Sequence, residues 1–239
     1  MAAVDFTYWK RQLAAGAAIV VSILLAFAID AWWDRRAETA QAIAILHGLQ
    51  ADFRDSQAHL EIWLAGNRKI QSRTAMFLER IRSADRDAWI TVTEGMIGAP
   101  IGSPTYDPTT ATLDAALSGG QIELVEQKEL REALGVWLQL LADTREDENL
   151  IREIVVHQLV PILSSQVRLG NAFEQINGWF LGQNNDRLDS PVQLRAVTEL
   201  EGVLAQRQFY QHYVVDGQEK IYEIQGRILK LLETALDEA

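Results

Sequence analysis

From Leu13 to Trp33 the chain is apolar with a single ionisable group, Asp30, reading Leu-Ala-Ala-Gly-Ala-Ala-Ile-Val-Val-Ser-Ile-Leu-Leu-Ala-Phe-Ala-Ile-Asp-Ala-Trp-Trp. At about 1.5 Å of rise per residue such a helix reaches about 31 Å, close to the roughly 30 Å hydrocarbon thickness of a bilayer. Tyr8, Trp9, Trp32 and Trp33 stand at its ends, where interfacial aromatic residues belong. The reading is a short cytoplasmic stub over residues 1–12, a transmembrane helix over residues 13–33 and a helical extracytoplasmic domain over residues 34–239. A cleaved signal peptide is the rival, because Lys10 and Arg11 precede the apolar run and Ala26-Phe27-Ala28 has the small-x-small form of a cleavage site. Against it, the apolar and aromatic character continues past Ala28 to Trp33.

Lys10 and Arg11 on one side and Arg35 and Arg36 on the other nearly balance the count of flanking cations. A short basic tail held in the cytoplasm, with the large remainder translocated, is the arrangement expected, which places the chain in a bacterial inner membrane with a periplasmic domain. The formal charge of the chain is -11, and residues 1–36 contribute +1, so -12 falls on residues 37–239. That balance excludes nucleic acid and polybasic lipid adhesion, both of which need clustered cations. Cysteine is absent, which removes disulfides, thiolate chemistry and Cys-ligated metals.

Beyond the anchor an apolar three-four spacing runs through Leu46, Leu49, Phe53, Ser56, Leu60, Trp63, Asn67, Ile70, Thr74, Phe77 and Ile81, with no Pro between Ala14 and Ala99. The spacing predicts one long amphipathic rod ending around Ser83, continuous with the membrane helix or resuming after a slight break near Trp33. Its other face, with Asp52, Arg54, Asp55, Glu61, Arg68, Lys69 and Arg73, reads as solvated. Strand-like alternation is confined to Trp89–Thr93, too short to build a sheet alone. Gly95, Gly98, Pro100, Gly102, Pro104 and Pro108 predict a loop without regular helix from Gly95 to Thr110.

A short helix over Ala111–Leu117, capped by Thr109 or Thr110 and stopped by Ser118-Gly119-Gly120, is expected next. A longer one carries Leu130, Leu134, Trp137, Leu138 and Leu141, then a charged interval Arg145–Glu148, then Ile151, Ile154 and Val155, until Pro161 kinks or ends it. A weaker helical piece over Val167–Phe180 and a polar loop around Gly182–Asp186 come next, and Ser190-Pro191 is read as the cap and first position of a new helix. The last helix repeats the three-four spacing from Leu200 through Arg207, Val214, Ile221 and Ile228 to Ala235, so it can lie along the first rod. The fold class expected is all-α: an N-terminal transmembrane helix continuing into an elongated bundle of about four main helices plus short ones.

The stretch Ile23–Trp32, then Arg35-Arg36, then Ile45–Phe53 resembles an uncharacterised family of bacterial single-pass membrane proteins, defined only as a domain of unknown function. Ala111–Val125 followed by Lys128–Arg131 is similar to that family's short helix, Ser-Gly turn and following helix. The resemblance spans nearly the whole chain and implies an envelope location without implying an activity. Trp32-Trp33-Asp34 departs from the Asn-rich positions of the family, which puts any specific role of Asp30 in doubt.

Residues able to carry chemistry are scattered. Asp30 lies three residues from the end of the apolar run, where an interfacial carboxylate reaching water is the plainer reading than a buried relay. His47, His59, His157 and His212 form no zinc motif, and Glu153 with His157 at i and i+4 departs from the Glu-x-x-His pattern of di-iron bundles. Gly102-Ser103-Pro104 is no nucleophile elbow, and Gly119-Gly120 lacks the Lys-Ser/Thr of a phosphate loop. Trp137, Trp179, Tyr210 and Tyr213 at helical spacing read as core before they read as a pocket. Gly16, Ala17 and Ser22 give the anchor small residues for close helix packing, without a full Gly-x-x-x-Gly. No catalytic, cofactor or metal residue is assigned, and no cofactor is expected. The expectation is a membrane-anchored interaction or scaffold protein of an envelope complex, held in the bilayer by residues 13–33, with a protein partner or a second copy of itself. The alternative is a periplasmic small-molecule-binding or sensor-type bundle.

Overall fold

A computed structural model describes residues 6–174 and 190–238, the side chains of residues 6–15 and 18 aside. One helix, α1, runs without a break from Phe6 to Arg82. Continuity follows from composition: no Pro interrupts it, and the apolar run passes into the three-four seam without a turn residue. Every seam position from Leu46 to Ile81 is buried except Trp63, which is half-buried. The rod ends where Ser83 Oγ bonds the Glu79 carbonyl at 2.8 Å and Asp87 takes a positive φ of 60°.

A β-ribbon and the remaining helices fold back along α1. Strand β1 (Trp89–Thr93) pairs antiparallel with β2 (Pro191–Arg195), Ile90 opposite Leu194 and Thr93 opposite Pro191. Ser190-Pro191 therefore opens a strand and not a helix. Pro191 stands at the first position of a strand in a two-stranded sheet, where a missing N–H costs no ladder bond, and the buried Leu194 anchors the ribbon. The second correction concerns Gly95 to Thr110. Glu94–Ile101 forms a helix, α2, its N-terminus capped by Thr93 Oγ1 accepting from Met96 N at 3.3 Å. Pro100 lacks the N–H that would bond the Met96 carbonyl, and α2 ends one residue later, while the two glycines keep it slim enough to be almost wholly buried.

Helix α3 (Ala111–Ser118) ends at Gly119 and Gly120, the latter with φ 67°, and leads through a 3-10 turn over Gln121–Leu124 into α4 (Lys128–Ile154). Thr110 is the α3 cap residue but makes no side-chain bond to the backbone. Asp52 of α1 accepts from Thr112 N at 2.9 Å instead, so this carboxylate, expected in solvent, supplies the α3 terminus. α4 passes through one π-helical turn over Val155–Leu159 into α5 (Val160–Ser164). Pro161 at the start of α5 removes an N–H and crowds the preceding turn, and the wider turn absorbs both. Residues 170–174 are helical. The expectations for Phe180 and for Gly182–Asp186 lie outside the described residues, as does Trp179.

The final helix, α6 (Thr198–Glu238), runs antiparallel to α1, as the pairs Arg82–Glu201 (2.8 Å), Arg68–Glu219 (2.6 Å) and Arg54–Glu233 (3.4 Å) mark. It is the central rod, packed on α1 along one flank and on α4 along the other. The bundle thus has three long rods, with α2 and α3 on α1 taking the place of a fourth. Two apolar clusters form its core. One, toward the ribbon, gathers Phe77, Ile151, Leu159, Leu194 and Leu204. The other, toward the free end of α1, gathers Leu49, Phe53, Leu130, Trp137 and Ile228. The Phe53 and Trp137 rings meet at 4.7 Å, tilted by 55°, between α1 and α4.

The expected membrane-spanning helix over residues 13–33 is not supported: among the described residues no helix is long and apolar enough to cross a membrane. The described side chains of the apolar run extend from Ile19 to Trp33, interrupted by Ser22 and Asp30, over about 22 Å of helix. Leu13, Ala14, Ala15 and Ala18, which would extend it, lie outside the described side chains, as do Tyr8, Trp9, Lys10 and Arg11. What is described is an arm. Ile19, Val20, Val21, Ile23, Leu24, Leu25, Phe27 and Ile29 are between 48% and 65% exposed, on every side of the helix.

Candidate functional site

Between the two apolar clusters the bundle carries a belt of buried polar side chains, each held by its neighbour. Arg207 on α6 is fully buried, and its guanidinium donates to the Pro100 carbonyl at 2.6 Å, the Gly102 carbonyl at 2.7 Å and Gln211 Oε1 at 2.9 Å. Gln211 donates to Asn67 Oδ1 at 3.1 Å, and Asn67 donates to Gln218 Oε1 at 3.1 Å. Gln218 donates in turn to Glu148 Oε1 at 3.2 Å. The chain of bonds joins α1, α4 and α6 at one level.

The belt also fastens the Pro- and Gly-rich segment after α2. Arg207 holds the carbonyls of residues 100 and 102, and Glu148 Oε1 accepts from Tyr106 N at 3.2 Å. Tyr106 is buried, with its hydroxyl donating to the Ser56 carbonyl at 2.8 Å and accepting from Gln225 Nε2 at 2.9 Å. Ser56 Oγ accepts from Thr109 N at 3.0 Å. A backbone of this composition has no ladder of its own, so side chains supply the partners that buried peptide groups require.

Burial governs the electrostatics. It pushes the Glu148 carboxyl up to about 7, with Asp107 adding to the rise while Tyr106 N–H, the Gln218 amide and Arg145 pull against it. Burial lowers Arg207 to about 9, which leaves the guanidinium charged at neutral pH. The Tyr106 hydroxyl is pushed up to about 12, again by burial.

A groove of about 700 Å³ opens where α1 leaves the bundle. Ala42, Ile43, Leu46, Leu124 and Ala235 give it an apolar floor, and Glu38, Glu123, Glu126 and Glu238 stand around it with a single cation, Arg35. None of the four carboxylates has an ion-pair partner among the described residues.

The residues weighed from sequence are not brought together. Asp30 is exposed on the arm. His47, His59, His157 and His212 are each exposed and apart, and His157 pairs with Glu153 at 3.2 Å, one turn away on its own helix. Among the described residues no group of three or more His, Asp or Glu is placed to hold a metal. Trp137 is core, Tyr210 is half-buried against the ribbon-end cluster, and Tyr213 is exposed against Phe209 at 5.0 Å. Arg207 is visible in the sequence as a seam position, whereas Glu148 reads there as part of a charged interval. Its signal is phase: Leu134, Trp137, Leu141, Thr144, Glu148 and Ile151 keep one three-four spacing, and Gln211, Gln218 and Gln225 recur every seven residues on α6. No protein-family model matches the chain, and comparison with curated proteins and with solved structures returns no match.

Proposed function

We propose that the chain is a membrane-tethered helical scaffold that docks with a protein partner at the bacterial envelope, its N-terminal segment in the bilayer, its remainder periplasmic, without catalysis. The observation that carries this is the arm. Apolar side chains uncovered all round a helix have no place in water and belong to hydrocarbon or a partner, and Trp32 and Trp33 with Arg35 and Arg36 end the run as interfacial anchors do. The resemblance of Ile23–Trp32, Arg35-Arg36 and Ile45–Phe53, and of Ala111–Val125 and Lys128–Arg131, to a family of single-pass membrane proteins supports the envelope location. The belt supports a scaffold in preference to a sensor, because its polar groups are occupied by one another and by backbone and leave few free for a ligand. Alkaline carbonate extraction of membranes from cells expressing the full chain tests the tether. Retention in the pellet at full length is expected, and release of the chain into the wash would overturn it.

A further inference from the structure

We infer that the groove beside the base of the arm receives a cationic amphipathic helix of a partner protein, an assignment that rests on the tethered-scaffold reading and names the partner's chemistry. The shape argues for a helix. α1 and the end of α6 run antiparallel here, and α4 begins only at Lys128, with Glu126 and Gln127 of the preceding segment lining the groove. At this level the lane beside the other two rods holds the short 3-10 turn and the residues after it in place of α4, which leaves a trough of the kind into which a rod packs. The floor argues for an apolar stripe on that rod: the half-buried Ala42, Ile43 and Leu124, over the buried Leu46 and Ala235, offer apolar contacts to a helix presenting i, i+3 and i+4 anchors.

Charge selects the occupant. Four carboxylates against one guanidinium, with no ion pair drawn from the described cations of the bundle, leave a rim that Lys or Arg side chains flanking the stripe would neutralise. The same rim repels phospholipid phosphates, and a net charge of -11 sets a second copy of this chain against it.

The test titrates full-length protein in neutral-lipid nanodiscs with a fluorescent 18-residue Leu/Lys amphipathic helical peptide, and with its Leu/Glu counterpart, by anisotropy corrected for empty discs. The Leu/Lys peptide is expected to bind, and Glu123→Lys with Glu126→Lys should weaken it at least tenfold. Ala42→Trp, which fills the floor without changing charge, should weaken it comparably. Asp143→Lys with Glu146→Lys makes the same charge change on the exposed face of α4 and should weaken it less than threefold. Equal loss from both charge pairs, equal binding of the Leu/Glu peptide, or no binding of the Leu/Lys peptide would each overturn the assignment. Co-sedimentation of the same protein, reconstituted with liposomes in place of nanodiscs, keeps the two readings apart. A chain that pellets but takes no peptide defeats the groove and leaves the tether, whereas a chain that stays in the supernatant defeats the tether, on which the assignment rests.

Discussion

Arg207 and Glu148 are the two charges buried among the described residues, and they are not equivalent. Arg207 is satisfied by three acceptors, two of them backbone carbonyls of the segment it pins. Arg207→Ala strands those carbonyls and leaves a void, and should cost about 3 kcal/mol by denaturant unfolding. Arg207→Lys should recover only part of this, since one ammonium cannot match the fork geometry of a guanidinium. Glu148 works against stability at neutral pH. Its folded carboxyl holds a proton up to about 7, against 4.5 for the ordinary group, so between those values the folded state binds more protons than the unfolded one. Stability contributed by this group is therefore present below pH 4.5 and lost as pH rises through 7, a difference of about 3 kcal/mol. Glu148→Gln keeps an acceptor for Tyr106 N and Gln218. The variant should flatten that part of the profile, as guanidinium midpoints at pH 5, 6, 7 and 8 would show; an unchanged slope would refute the assignment.

At the scale of elements, close contacts set the spacing of the rods. Thr144 of α4 packs against Gly217 of α6 so closely that a Cβ there would overlap its hydroxyl, and at Gly48 of α1 a Cβ would come within 2.7 Å of the Thr112 methyl of α3. Gly217→Val should part α4 from α6 and lower stability by about 2 kcal/mol. Asp52→Ala, which removes the α3 cap, should cost about 1 kcal/mol. Calorimetry on the two variants would rank them, and the reverse order would count against this account of the packing. Sequence makes the rods legible because the three-four spacing persists through Leu46 to Ile81 and Leu200 to Ala235. It hides α2 and β2 because Pro and Gly report local preference, whereas α2 survives by tertiary satisfaction of its end carbonyls and β2 by pairing with a strand about a hundred residues earlier.

Seen whole, the molecule is a rod-like bundle with two apolar cores, a polar belt between them, and an uncovered apolar arm at one end. The belt's register across α1, α4 and α6 is legible only when all three phases are aligned, since Asn67 is a lone polar position on an apolar seam, and Glu148 and Gln218 each look like surface residues alone. Buried polar matching of this kind fixes register at a cost in stability. The arm is the most legible feature of all, and the account stands on where it goes. The chain has no native cysteine, so a single thiol reports cleanly. An environment-sensitive fluorophore on Phe27→Cys in phospholipid vesicles should shift to the blue and be quenched by brominated acyl chains, while the same label on His59→Cys should do neither. Water-exposed emission at both positions would contradict the tether.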